Sequence, residues 1–577
     1  MRMHTKAVAG LTALVLGAGL APGHAAAERL PIYKLDAPKA TADRASALLA
    51  NVLGGGQGSA VSNKERIIRR SGNKTAEVYQ ASGGVWLADN DRLWNPTLTP
   101  NLPSPEQAKA LADEVLRKNL LLPAKDGVVA VSFSGIGGSG AATEDPSGKV
   151  VRERQLDVQV NYSTGLDLFG DGSVVPVVGG GGEFSIAFGE GGAVVNYVGT
   201  WRPIASVAEM AEALPQDKAD KVFKSKTKTL DITRVQSHLA YYAAPAWKKQ
   251  EFLAPVWVYS ATAKIGGQQV PLRTMLIAAT DYGPFPTKVK KQKKRSAKML
   301  PLPGTQEPEP ESEKLRGGLA GLLRTVTDLL FSPRHAFAEF FEGGTSWIGP
   351  SQGLAGSPAN AQGFVDGLDD AGWAINFNWG ELNAWESDWR TNDDDWVDAT
   401  DFVFYTGHAN MNGWVLNQPS DTGFNTPEAG AAPANPGDLW GQQDLEWVII
   451  AACGPHQHAS FVAGGGNAFD RWRGVFDGLH LFLGYGAVTF DNEEEGERVV
   501  EYARDGETIQ DAWFRAAKEI QPHTNGVAAP NGPNIYVTVM WAHKAGADPI
   551  NDHLWGEGPV SADPLAPNSR TLMWSQT

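Results

Sequence analysis

Two residues of this chain have the chemistry of a nucleophile and its base, and each stands at the end of an apolar run. Cys453, the single cysteine among 577 residues, follows "EWVIIAA" (446–452), and His408 follows "DFVFYTG" (401–407). An imidazole beside a thiol takes its proton or stabilises the thiolate, lowering the thiol pKa from about 8.5 and giving a nucleophile at neutral pH. That pair is the minimum needed for acyl transfer, provided backbone N–H groups nearby hold the oxyanion. Ala409, Gly454 and Gly407 are the candidate donors, and Gly454 also permits close approach of a substrate. Two rival readings stand beside this one. "GPHQH" brings His456 and His458 next to Cys453, a set that with His408 suits zinc. The spacing fits no common zinc pattern, and alternation puts the two histidines on opposite sides of an extended segment, so no metal or cofactor is assigned. The other rival is an inert thiol that packs as a small apolar group.

For the pair to meet, both strands must deliver their ends to one place. Five short apolar runs, "WAINFNW" (373–379), the two above, "LHLFLGYG" (479–486) and "NIYVTVMWA" (534–542), alternate with helical patterns such as "GETIQDAWFRAAKEI". That alternation predicts an α/β domain with a mainly parallel sheet flanked by helices, whose sites gather at the carboxyl ends of the strands. His480 sits at a strand start, on the wrong edge. His543, at a strand end, is the substitute base. Asp395, Asp398 and Asp491 are candidate pocket residues, because acidic loops near this edge would attract a Lys or Arg side chain, as would Glu493, Glu494 and Glu495. Fourteen of the 19 tryptophans lie at or beyond Trp347, a spacing that fits core packing better than sugar stacking.

Charge divides the chain. Residues 343–577 hold 9 Lys/Arg against 32 Asp/Glu, leaving residues 1–342 with 41 basic and 33 acidic side chains. The acidic half argues against nucleic acid as a partner and favours cationic ligands or peptides. Five segments follow. Residues 1–27, with Arg2 and Lys6 before an apolar run from Ala7 to Ala21, read as a secretory signal, which predicts a secreted protein. Residues 28–285 read as an α+β region, with a capped helix from Ser104 and a hairpin around Gly266 and Gly267. Residues 286–317, "TKVKKQKKRSAK" and the Pro-rich stretch after it, read as an exposed, cleavable linker. An amphipathic helix is expected within 318–342, and the α/β domain spans 343–577. No run is long enough to span a membrane.

An apolar strand ending in "YTGH", followed 45 residues later by one ending in "AAC", resembles the caspase, gingipain, legumain and clostripain group of cysteine peptidases, over about residues 370–545. The resemblance implies a caspase-like fold, with His408 as acid/base and Cys453 as nucleophile. The group commonly has Gly after the histidine, where this chain has Ala409. "FDGLHLFLGYG" and "DAWFRAA" are also similar to an uncharacterised family of exported bacterial proteins with this core. Residues 100–285 resemble the propeptide-like modules of secreted bacterial peptidases. The expectation is a secreted cysteine peptidase made as a precursor, acting on peptide or protein substrates with basic residues as a candidate preference. Its pro-region would be an intramolecular partner. The alternatives are a catalytically inactive binding or structural protein on the same fold, and a Cys/His metal-assisted hydrolase.

Overall fold

A computed structural model describes residues 29–56, 58–124, 127–288, 292–293, 295, 341–417, 439–525 and 534–577. The signal segment, most of the linker and the helix expected before residue 341 lie outside the described residues.

The chain is a mixed α/β structure built on two large sheets. The nine strands of the sheet that carries the candidate site are, in chain order, β1 (Ser139–Glu144), β2 (Val150–Gln155), β3 (Glu342–Trp347), β4 (Ala374–Gly380), β5 (Phe402–Thr406), β6 (Trp447–Ala451), β7 (Leu481–Tyr485), β8 (Tyr536–His543) and β9 (Ser569–Gln576). Their spatial order is β4-β3-β5-β6-β7-β8-β9-β1-β2. The first five run parallel and the last four pair antiparallel. β5, β6 and β7 are buried at every position, as expected of continuous apolar runs with both faces covered.

The two faces are covered differently. Phe402, Phe404, Trp447, Ile449, Leu481 and Leu483 pack with three helices, α1 (Ser357–Asp370), α2 (Glu495–Arg504) and α3 (Ile509–Ile520). Val403, Tyr405, Val448, Ile450 and Phe482 face a cluster of tryptophans supplied by short turns, strands and helices and the loops between them. Trp389, Trp414, Trp440 and Trp472 are fully buried there, with ring centroids 5.2 Å apart for Trp389–Trp414 and 5.7 Å for Trp414–Trp472. Helices were expected on both sides. Rings of this size bury enough apolar area for short elements to stand in for a layer of long helices.

The second sheet, mostly antiparallel, comes from the N-terminal region in the order Ile204–Glu212, Arg29–Leu35, Phe252–Ile265, Asp231–Tyr242 and onward to Ser59–Ser62. Its helix Pro105–Lys118 begins with the expected cap at Ser104, reciprocated by Gln107.

The two regions are interlocked. β1 and β2 belong to the N-terminal region, yet β1 pairs with β9 from Ser139↔Ser575 to Glu144↔Arg570 and so extends the sheet of the C-terminal region. Ion pairs cross between the regions in both senses of charge. Arg515 joins Glu77 (2.6 Å), Arg498 joins Glu65 (2.8 Å) and Arg473 joins Glu144 (3.1 Å), while in the opposite sense Arg273 joins Glu495 (3.1 Å) and Lys248 joins Glu494 (3.3 Å). Each region thus supplies both acidic and basic partners.

Candidate functional site

The site begins with the register of β5 on β6. These strands are adjacent and parallel, their last paired residues being Thr406 and Ala451. His408 and Cys453 each lie two residues further on, at the same carboxyl edge. The sharp bends there use glycine where glycine is needed. Gly454 has φ +74°, in the left-handed region, and a Cβ on it would overlap the Gln457 side chain. A Cβ on Gly407 would overlap the Tyr405 hydroxyl. Ala409 has no such requirement; it pairs with Trp414 in a two-residue ladder and is buried.

His408 and Cys453 are each 0% exposed. The ring of His408 is held from both ends by backbone: Nδ1 accepts the N–H of Arg273 (3.2 Å), and Nε2 donates to the Gln352 carbonyl (3.1 Å). That pair of bonds fixes the neutral tautomer with the proton on Nε2. Burial pulls the imidazole down to about 4. The thiol of Cys453 is 3.9 Å from Thr489 Oγ1, and burial pushes its pKa up. In this arrangement the thiol is protonated at neutral pH and the imidazole is uncharged.

The element that covers the edge comes from the N-terminal region. "VPLRTML" leaves the hairpin strand Gln268–Pro271 and runs alongside residues 489–491. Thr274 N–H donates to the Thr489 carbonyl (2.8 Å), and Asp491 N–H donates to the Thr274 carbonyl (2.9 Å). An extended peptide is thus added to the edge through main-chain bonds, as a bound peptide strand would be. Its Arg273 side chain is 0% exposed and enters a polar pocket. There it donates to Thr406 Oγ1 (3.0 Å), to the Ala451 carbonyl (2.8 Å) and to the Phe490 carbonyl (2.6 Å), and pairs with Glu495 (3.1 Å). Glu495 is itself gripped by Tyr485 (2.7 Å), Gln521 (2.7 Å) and Asn360 (3.1 Å). A buried pair with every oxygen bonded is the form in which such a pair is tolerated.

The acidic candidates separate. Asp491 stands beside the covering segment and accepts from Gly356 N–H (2.8 Å); burial raises it to about 6. Asp398 lies ahead of β5, on the amino side of the sheet, and accepts from the backbone of Gly441 and Gln443, so it anchors a loop far from the carboxyl edge. Asp395 ends a short helical turn, Asp393–Asp395, in the loop between β4 and β5. Glu495, named in sequence only as one of an acidic run, is the residue that meets an arginine.

The histidines after Cys453 serve the fold. His456 Nδ1 contacts Thr538 Oγ1 (2.9 Å) with its ring edge-on to Phe482, and His458 Nδ1 accepts from Ser460 N–H (3.4 Å). Among the described residues, the acidic and histidine or cysteine side chains that converge as a metal-ligand set are Glu342, Asp401 and Asp444, at the amino edge, and not Cys453 with its histidines. His480 is bonded to Asp552 (2.6 Å) and His543 to Thr571 Oγ1 (2.7 Å), so neither is directed at the thiol.

Sequence reasoning missed Arg273. Its partners lie 133 to 222 residues away in the chain, beyond any local pattern. The available signal was an arginine inside an otherwise apolar, strand-like run.

Residues 345–577 match the family model described as a domain of unknown function, DUF6345. The matched region thus begins within β3 and contains every residue of the carboxyl edge except the covering segment. No curated protein matches this chain. A crystal structure of an uncharacterized protein from Eubacterium rectale is similar at 12% identity, over 45% of this chain and 86% of that one, with a TM-score of 0.25. No helix among the described residues is long and apolar enough to cross a membrane.

Proposed function

We propose that this chain is the latent form of an exported cysteine peptidase, with Cys453 as nucleophile, His408 as acid/base and the segment around Arg273 as an internal cover. The observation that carries the reading is the covering segment itself. It is an extended peptide, added by main-chain bonds to the edge where the thiol and imidazole emerge, with its arginine in a closed anionic pocket. An arginine so seated supports a preference for basic residues. Once the cover leaves, His408 Nδ1 loses its donor and becomes free to accept the thiol proton. Sγ then attacks the peptide carbonyl carbon; the C–N bond breaks as His408 returns the proton to the leaving amine. Water, deprotonated by the same ring, cleaves the thioester. The backbone N–H groups of Gly454 and Ala409 are the proposed oxyanion donors. Adjacent parallel strands with this pair at their ends also support the caspase-like reading of the fold.

The test compares Arg273→Ala with Arg273→Ala/Cys453→Ala on fluorogenic peptides bearing arginine. Hydrolysis in the first and none in the second is the expected result. Equal rates in both, or none in either while the chains remain folded, would overturn the proposal.

One observation favours a second reading. Both ring nitrogens of His408 are occupied by backbone, and the thiol is sealed, which suits a non-catalytic scaffold in which the two residues simply pack. Under that reading Cys453 alkylates slowly, with the same pH profile whether or not His408 is present, even in Arg273→Ala.

A further inference from the structure

The basic linker was expected to be solvated, yet Arg295 is 5% exposed. Its guanidinium lies against three tryptophans of the matched region, with Cζ 4.2 Å from the ring centre of Trp379, 4.0 Å from Trp385 and 5.2 Å from Trp396. Asp388 meets it in a two-point grip, Oδ2 at 2.6 Å from Nη1 and Oδ1 at 3.3 Å from Nη2, and the Asn383 carbonyl accepts from Nη1 (3.2 Å). The main chain is held separately. Asn383 Oδ1 accepts the Arg295 N–H (2.6 Å), and Asn383 Nδ2 donates to the Lys293 carbonyl (2.6 Å). Gln292 accepts from Gly380 N–H (2.6 Å) and donates to the Asn378 carbonyl (2.8 Å).

Two features separate this from ordinary core packing. Every residue of the cage lies inside the matched domain, within 378–396, while the occupant comes from outside it. The grip also divides as peptide recognition divides: Asn383 brackets a backbone that any peptide has, and the cage selects one side chain. A planar, delocalised cation fits stacked rings and a carboxylate fork in a way that a lysine ammonium does not.

We propose that Trp379, Trp385, Trp396, Asp388 and Asn383 form a recognition site for arginine in an extended peptide, held in this chain by its own Arg295 and open to an arginine-bearing segment of another polypeptide when Arg295 is absent. The site does not depend on Cys453 and stands apart from the proposed catalysis.

The test uses the full chain with Arg295→Ala and the blocked peptides Gln-Lys-Lys-Arg and Gln-Lys-Lys-Lys, read by tryptophan fluorescence and calorimetry. The arginine peptide should bind Arg295→Ala saturably, at least tenfold tighter than it binds the unaltered chain, whose site is already filled in cis. The lysine peptide should bind at least tenfold more weakly, and Arg295→Ala/Asp388→Asn should lose the arginine peptide. Absence of binding to a folded Arg295→Ala chain, or equal affinity for the two peptides, would overturn the proposal. Should Arg295→Ala not fold, Arg295→Lys serves instead: the arginine peptide displaces the lysine and binds saturably, and failure to do so counts equally against the site.

Discussion

The backbone N–H of Arg273 donates to Nδ1 of His408 across 135 residues of chain. One bond therefore does two things: it uses the lone pair that the proposed reaction needs to accept a thiol proton, and it helps hold the covering segment on the edge of the sheet. The guanidinium of the same residue is paired with Glu495 beneath that edge.

Removing one member of that pair should be costly. Arg273→Ala leaves the Glu495 carboxylate buried without its cation, a situation that costs about 3–5 kcal/mol. Urea unfolding should show that loss, and Arg273→Met/Glu495→Gln should recover most of it. The thiol of Cys453 should also alkylate faster in Arg273→Ala, followed by mass spectrometry under native conditions.

His408 makes a pH-dependent contribution whose sign is fixed by its depressed pKa. The folded ring titrates at about 4, against about 6.5 in an unfolded chain. As pH falls below about 6.5 the unfolded state takes the proton first, so the stability His408 contributes is complete above that pH and lost toward pH 4. At about 1.36 kcal/mol per unit, the stability difference between the native chain and His408→Asn should shrink by about 3 kcal/mol from pH 7.5 to pH 4. A difference that stays constant over this range would show that the ring is not buried neutral.

Cutting the linker should not separate the regions. A chain cleaved within residues 288–299 keeps the β1–β9 pairing and the buried pairs Arg515–Glu77 and Arg498–Glu65. The two fragments should co-elute in size exclusion and part only in denaturant. Fragments that separate in native buffer would mean that these contacts hold the regions together only while the chain is continuous.

Gly454→Ala should destabilise by about 1–3 kcal/mol, because alanine is strained at φ +74° and its Cβ meets Gln457. Thermal unfolding reads this directly.

Much of the strand outline of the C-terminal region was legible because β5, β6 and β7 are short apolar runs buried on both faces, and their length, aromatic and β-branched content and flanking residues mark them as strands and not as buried helix. The placing of His408 and Cys453 at one edge followed from the alternation of those runs with helical patterns, and the structure adds that their strands are adjacent. β3 was not legible: "EGGTSW" has two glycines and little apolar character, and it is a strand because β4 and β5 supply bonds on both sides. α2 hid in an acidic run, and its apolar face shows only when Val499, Val500 and Ala503 are seen buried. The partners of Arg273 and Arg295 were not legible in the sequence because each finds them through tertiary contact. A basic run such as "KKQKKR" carries no mark distinguishing the one side chain that is enclosed from those left in water.

The position of β1 also dictates an order of events. β1 pairs with β2 on one side and closes the sheet against β9 on the other, so that second edge has no partner until residues 569–576 have been made. Contacts of such long sequence separation form late and slowly. A partly synthesised chain lacking β9 would hold two unsatisfied strand edges, one on β1 and one on β8, each open to pairing with another molecule. Completion of the sheet is therefore a check on the whole chain: a polypeptide that stops short of β9 lacks the strand that protects β1.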